Sequence, residues 1–450
     1  RYEPAGAVAV ESESPELSED ALAAAFTDIH GDDLRYVAAW GRWLQWDGTR
    51  WAPDDTLHVF DRARKVCRSA SVKCTEKSKS RRIASAATVA AVERLVRSDR
   101  QHAAVVEQWD ADQWLLNTPA GIVDLRRGDV AAHRRDAYCT KMTAVGPSGG
   151  CPLWRAFLDR VTNGDDALQA FLRRMVGYIL TGDTREQAMF FLYGTGANGK
   201  SVFLSTIAGI LRDYSKSASM ETFIASPAEH HPTDLAGLQG ARLVTAVEID
   251  EGRQWAESKI KILTGGDKIA ARFMRQDFFE FSPVFKLVIA GNHKPRLRSV
   301  DEAIRRRLYL VPFTVTIPPA ERDAALSEKL RGEWGGILGW ALGGCLEWQE
   351  KGLYPPTSVC DATEEYLQAE DTLAQWIDAQ CVRGPNAVAT VEQLFADWRV
   401  WAEHSGEAVG SKRSFSQALE DKGFTRKRLT GGSRAFQGIG VRAAESGVCE

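Results

Sequence analysis

Eight consecutive residues, Gly194-Thr195-Gly196-Ala197-Asn198-Gly199-Lys200-Ser201, have the types and spacing to handle a phosphate chain. They fit G-x-x-x-x-G-K-[ST], in which glycines let the backbone curl so that its N–H groups face phosphate oxygens. Gly194, Gly196, Ala197, Asn198 and Gly199 would form the cradle, and Lys200 would set a positive charge against the β and γ phosphates. Ser201 would offer its hydroxyl to magnesium at a helix N-terminus, where the macrodipole also favours an anion. ATP and magnesium are therefore the expected cofactors.

Three further groups could complete such a site. Glu248 and Asp250, with Glu251 third, follow an apolar run and are suited to hold magnesium and polarise an attacking water. Asn292, after another apolar run, could sense the γ phosphate or position the water. In Arg305-Arg306-Arg307, the residues nearest the following strand are Arg306 and Arg307. Either could reach a neighbouring subunit's nucleotide, an effect worth about 10³ to 10⁵ in rate. A salt-bridged helix end is the other reading of the three arginines.

These residues need a parallel sheet to bring them together. Met189–Tyr193, Arg242–Val247, Phe285–Ala290 and Leu308–Phe313 read as buried strands, and a helix is expected from about Val202 to Leu211. In an open α/β sheet, groups after the carboxyl ends of such strands converge. Between the second and third runs, residues 264–281 read as a β-hairpin carrying Lys268, Arg272 and Arg275, charges that suit a single-stranded nucleic-acid backbone. A plain edge hairpin is the alternative.

Upstream, Ser18 caps an expected helix, and Trp40, Trp43, Trp46 and Trp51 surround an Asp47-Gly48 turn as the core of a small domain. Residues 55–109 look helical and hold a basic run, Lys73, Lys77, Lys79, Arg81 and Arg82, open to two readings: a solvated helix face or a DNA-facing patch. A short hairpin over 114–129 closes this domain. Residues 152–182 follow a helical period, with Arg173-Arg174 expected on the polar side. Gly335-Gly336 and Gly343-Gly344 permit close helix packing further on. From Thr372 come three helices and a basic Gly-Gly hairpin, the order of a winged helix. Lys412, Arg413, Arg426, Lys427, Arg428 and Arg434 would meet duplex phosphates there, or a docked protein.

Composition narrows the class. The 450 residues are 44% hydrophobic and 26% charged, with a net charge of −3, so a nucleic-acid partner would need local patches. The eight cysteines make no C-x-x-C pair and no zinc spacing, which reads as reduced thiols in the cytoplasm. No apolar stretch reaches about 18 residues, so no membrane span is expected. The acidic, unpatterned residues 1–17 read as a disordered leader.

GTGANGKS, an acidic strand end with E-x-x-x-G, LTGGD plus hairpin, GNHKP and DEAIRRRLYLVPF, taken in order, resemble the superfamily III helicases of the phage, plasmid and poxvirus primase-helicase type. WGRWLQWDGTRW and WLLNTPAGIVDL resemble the domain preceding the motor in that family. The resemblance implies a homo-hexameric ring in a bacterial host that moves along single-stranded DNA, usually 3′ to 5′, and unwinds forked DNA during replication initiation. It assigns Lys200 and Ser201 to nucleotide and magnesium, Glu248 and nearby acids to metal and water, Asn292 to sensing, Arg306 or Arg307 to the finger and Arg275 to DNA. A primase-polymerase domain often lies upstream in the family and has no room in these residues, which implies a separate or truncated primase; the start at Arg1 rather than Met leaves a missing upstream domain as the other reading. A ring ATPase serving assembly or defence without unwinding is the alternative. The expected fold is α/β, with an AAA+-like P-loop motor on a parallel sheet. Its segments are a leader (1–17), an α+β N-terminal domain (18–145), a helical collar (146–187), the ATPase core (188–315), a helical subdomain (316–370) and a winged helix (371–445).

Overall fold

A computed structural model describes residues 16–225, 233–247, 252–274, 277–298, 300–407 and 409–442. The described residues fall into two compact units, those up to 148 with 210–214, and those of 149–209 with those from 215 onward. The 1–17 leader expectation falls almost wholly outside the described residues.

In the first unit, α1 (Glu19–His30) starts where Ser18 Oγ accepts from the Ala21 N–H at 3.1 Å, satisfying a donor the first turn leaves open. Strands β1 (Leu34–Val37), β2 (Arg42–Trp46) and β3 (Trp51–Pro53) pair antiparallel, and β4 (Ala103–Ala104) joins β1 in parallel. The β2–β3 turn is pinned by Asp47 Oδ1, which accepts from the Thr49 and Arg50 N–H groups, both at 2.8 Å. Helices α2 (His58–Lys73), α3 (Lys77–Ile83) and α4 (Ala86–Val96) bury Val59, Cys67, Ile83 and Val92 with Phe26 and Trp43. Trp51 is fully buried and Trp43 donates from Nε1 to Glu93 at 2.7 Å, while Trp40, 41% exposed, sits at the rim with its ring centre 6.3 Å from that of Trp109. The expected closing hairpin is a three-stranded meander, β5 (Leu115–Thr118), β6 (Gly121–Asp124) and β7 (Asp129–Ala131).

The second unit begins with α5 (Pro152–Thr162) and α6 (Asp166–Leu180), separated where Asn163 and Gly164 take positive φ. Its centre is a five-stranded sheet of β8 (Met189–Tyr193), β9 (Ser215–Ser217), β10 (Leu243–Val247), β13 (Lys286–Gly291) and β14 (Leu308–Pro312). Strand order is β14-β8-β13-β10-β9 and every neighbouring pair is parallel. Near-continuous apolar runs such as Met189-Phe190-Phe191-Leu192 suit strands buried on both faces. Between strands lie α7 (Lys200–Leu211), α8 (Thr233–Ala236), α9 (Glu257–Gly265), the antiparallel pair β11 (Ile269–Ala271) and β12 (Phe279–Phe281), and α10 (Glu302–Arg305).

After β14 come α11 (Leu326–Arg331), α12 (Trp334–Lys351) and α13 (Thr357–Glu370). Helix α12 packs tightly on α6 because the crossing lacks side chains: a Cβ on Gly344 would lie 2.0 Å from Arg173 O, and one on Gly177 2.1 Å from Cys345 N. This packing corrects the reading of Arg173-Arg174 as polar-side surface residues. Arg173 donates to Trp340 O (3.0 Å) and Glu347 (2.6 Å), and buried Arg174 donates to Leu353 O (3.0 Å) and Tyr354 O (3.1 Å).

The chain ends in α14 (Thr372–Gln380), β15 (Cys381–Thr390), α15 (Val391–His404), α16 (Lys412–Asp421), β16 (Thr425–Arg428) and β17 (Arg434–Val441). These strands form an antiparallel sheet, β15-β17-β16, over Trp376, Leu394, Trp398, Phe415 and Phe436. Among the described residues no helix is long and apolar enough to cross a membrane.

Candidate nucleotide site

Parallel pairing fixes the site. Tyr193 of β8 is level with Gly291 of β13 and Pro312 of β14, while Val247 of β10 is level with Ala290. The residues following these strands therefore emerge side by side at the carboxyl edge of the sheet. Residues 194–199 form the turn between β8 and α7, with positive φ at Gly194, Gly196, Ala197 and Gly199. Gly199 is held to glycine twice over, by its φ of 86° and because a Cβ would lie 2.6 Å from Val161 and 3.0 Å from Phe157. The loop is tied down from both sides: Phe313 N–H donates to Tyr193 O and Ile317 N–H to Ala197 O, each at 2.8 Å.

Lys200 is buried, and its Nζ donates to Gly194 O (2.7 Å), Asn198 Oδ1 (3.1 Å) and Asn292 Oδ1 (3.2 Å). Desolvation by burial moves this ammonium below the ordinary lysine range. Asn198 is itself fixed, since its Nδ2 donates to Phe313 O at 2.7 Å. The structure thus brings together the glycine-rich loop, Lys200 and Asn292. Ser201 is exposed at the start of α7, and Asn292 is exposed beyond its bond to Lys200. The open-sided, glycine-lined turn with one buried ammonium fits a phosphate chain.

Glu248, Asp250 and Glu251 lie outside the described residues, as does Arg275. Among the described residues no group of three or more His, Cys, Asp or Glu could hold a metal ion. The arginines after α10 diverge. Arg305 pairs with Glu364 of α13, and Arg306 is exposed. Arg307, read from the sequence as equally able to reach a neighbour, turns inward: it is buried and donates to Thr264 Oγ1 (3.2 Å) and Ala303 O (2.8 Å). One residue the sequence reading passed over is Lys294, whose Nζ sits 4.2 Å from the centre of the Tyr193 ring beside the loop. Its nearness to Asn292 in GNHKP was the available signal.

Outside this edge, Lys268 is exposed at the entry to the β11–β12 pair, and the Arg272 guanidinium lies 4.9 Å over the Phe278 ring. Phe273, Met274 and Phe278 are exposed there. In the C-terminal sheet, Lys412 pairs with Glu392 at 3.0 Å and Arg426 with Glu420 at 2.7 Å. Arg413, Lys427, Arg428 and Arg434 are exposed, with no ion pair among the described residues.

Fold and site define a mixed α/β protein whose parallel sheet carries a glycine-rich turn and a buried lysine. Residues 23–163 match the family model "D5 N terminal like", and residues 192–307 match "Family of unknown function (DUF5906)". The chain is similar to "Putative helicase L207/L206" of Acanthamoeba polyphaga mimivirus, with 25% identity over 67% of this chain and 34% of that one. It is similar to "Putative helicase 022R" of Frog virus 3, with 24% identity over 57% of this chain and 28% of that one. It therefore spans about a third of the length of these curated relatives. In fold it is similar to the apo C-terminal region of NrS-1, with TM-score 0.54 and 8% identity over 90% of this chain and 96% of that one. The D5-like match and the viral putative helicases support a likeness to the superfamily III primase-helicase type.

Proposed function

We propose that this chain is an ATP-dependent, magnesium-requiring DNA helicase that acts as a homo-hexameric ring on single-stranded and forked DNA, 3′ to 5′. The observation that carries this reading is the meeting of Lys200, the 194–199 turn and Asn292 at one sheet edge. Lys200 and the backbone N–H groups of residues 194–200 would hold the β and γ phosphates, and Ser201 with Glu248 and Asp250 would hold the magnesium. Bound ATP with magnesium supplies a transferable γ-phosphoryl group whose charge must be neutralised as it leaves. Asn292, released from Lys200, orients the attacking water, and Glu248 takes its proton. Arg306, exposed and unpaired among the described residues, is the finger toward the neighbouring subunit.

The hairpin residues Lys268, Arg272 and Arg275 face the translocating strand. The α14–β17 module has the helix and strand order of a winged helix, and Arg413, Arg428 and Arg434 meet duplex phosphates. Phosphate release measured with and without single-stranded DNA tests the proposal. Hydrolysis that needs Lys200 and magnesium and rises with DNA is expected. Hydrolysis that is absent, or indifferent to Lys200→Ala, would contradict it.

A further inference from the structure

Residues 58–83 carry nine Lys or Arg against two Asp or Glu in a chain whose net charge is −3. The structure settles where that excess lies. Val59, Ala63 and Cys67 take the inner face of α2, leaving Arg64, Arg68 and Lys73 exposed. Only Ile83 of α3 is buried, and Lys77, Arg81 and Arg82 are exposed. The helices are clamped together: Ser71 Oγ donates to Ser80 O at 2.9 Å and Ser80 Oγ to Ser71 O at 3.0 Å. The two sets of cations thus sit on one locally fixed helix pair.

Lys65 pairs with Asp61 at 2.8 Å, but none of the six exposed cations just named has an ion pair among the described residues. Arg64 with Arg68, and Lys77 with Arg81, stand four residues apart on their helices. Like charges at that spacing oppose helix formation by a few tenths of a kcal/mol per pair. An arrangement that costs stability and leaves its charges unmatched is complementary to a polyanion. Residues 58–83 hold a single Phe, Trp or Tyr, Phe60 in the first turn of α2, 38% exposed. Surfaces that grip single strands interleave cations with aromatic rings for base stacking, whereas a duplex offers only phosphates to such a face.

We infer that the α2–α3 face of the first unit is a sequence-independent binding surface for the backbone of duplex DNA. It uses none of the residues of the nucleotide site, the hairpin or the C-terminal sheet, and does not rest on the helicase reading.

The test uses the full chain without nucleotide and a fluorescent mixed-sequence duplex, titrated across salt concentrations. A variant carrying Arg64→Gln, Arg68→Gln, Lys77→Gln and Arg81→Gln is compared with the parent. Each lost phosphate contact lowers the slope of log K against log salt by about 0.9, so a fall of about 3 to 4 is expected, with affinity at about 0.1 M salt at least tenfold weaker. An unchanged melting temperature shows that the variant folds. Unchanged slope and affinity in a folded variant would overturn the inference. So would parent binding to phosphatidylserine vesicles that the variant loses while duplex binding stays intact. Failure of ATP hydrolysis would count against the proposed function alone, since this titration contains no nucleotide.

Discussion

Lys200 Nζ and Asn292 Oδ1 lie 3.2 Å apart, joining residues separated by 92 positions across two adjacent parallel strands. With Gly194 O and Asn198 Oδ1 as further acceptors, the ammonium is held at the loop by three oxygens. Phosphate oxygens would replace them, and the release of Asn292 would couple nucleotide arrival to water positioning.

Asn292→Ala is expected to leave nucleotide affinity within several-fold while hydrolysis falls about 10²-fold, the scale of losing one aligned polar group from a transition state. Fluorescent-nucleotide binding beside steady-state phosphate release checks this. An equal loss in both would make Asn292 a binding residue.

Arg306 and Arg307 should separate cleanly. Arg307→Ala removes a buried donor from Thr264 and the Ala303 carbonyl, so a loss of about 1 to 3 kcal/mol in unfolding free energy is expected. Arg306→Ala, being exposed, should leave stability within about 0.5 kcal/mol and abolish turnover. Mixing it with Lys200→Ala subunits should restore part of the activity, and no rescue in intact rings would place its action within one subunit.

Asn198→Ala deletes the donor to Phe313 O and one acceptor of Lys200. The buried carbonyl left unpaired costs about 1 to 3 kcal/mol. Thermal unfolding should show that loss together with weaker nucleotide binding.

His30 introduces a pH dependence in the first unit. Partial burial and the nearby Arg62 push its imidazole down from 6.5 to about 4. The unfolded chain therefore takes up a proton below pH 6.5 that the folded unit refuses until about pH 4. Stability contributed by neutral His30 is full above pH 6.5 and falls between pH 6.5 and 4. Solvent screening of this partly exposed ring holds the loss to about 1 kcal/mol. Denaturant titrations of the parent and His30→Phe across that window should show a shallower decline in the variant.

The sheet edge was legible because its signals are local. Met189–Tyr193 is an aromatic and aliphatic run, its glycine-rich turn follows at once, and the β10 and β13 runs lead into Glu248 and Asn292. Strand bounds agree with expectation within a residue for β8, β10, β13 and β14. What stayed hidden depended on tertiary partners. Nothing in Arg305-Arg306-Arg307 says that the third residue turns toward Thr264 and the first toward Glu364. Arg173-Arg174 read as surface residues because their acceptors, the Trp340 and Leu353 carbonyls, lie about 170 positions away. Strand β15 went unseen because Gly384-Pro385-Asn386 interrupts its pattern, and its register shifts between Arg383 and Val388.

In the proposed helicase cycle, hydrolysis at the Lys200 edge would drive DNA past the Lys268 and Arg272 hairpin. Unwinding of a forked duplex, followed beside phosphate release for the parent, Lys200→Ala and the Lys268→Ala/Arg272→Ala pair, tests it most directly. The parent should unwind, Lys200→Ala should show neither activity, and the hairpin variant should hydrolyse ATP at near the parent's rate without unwinding. A parent that hydrolyses ATP but never opens the fork, or a hairpin variant that unwinds at the parent's rate, would contradict it.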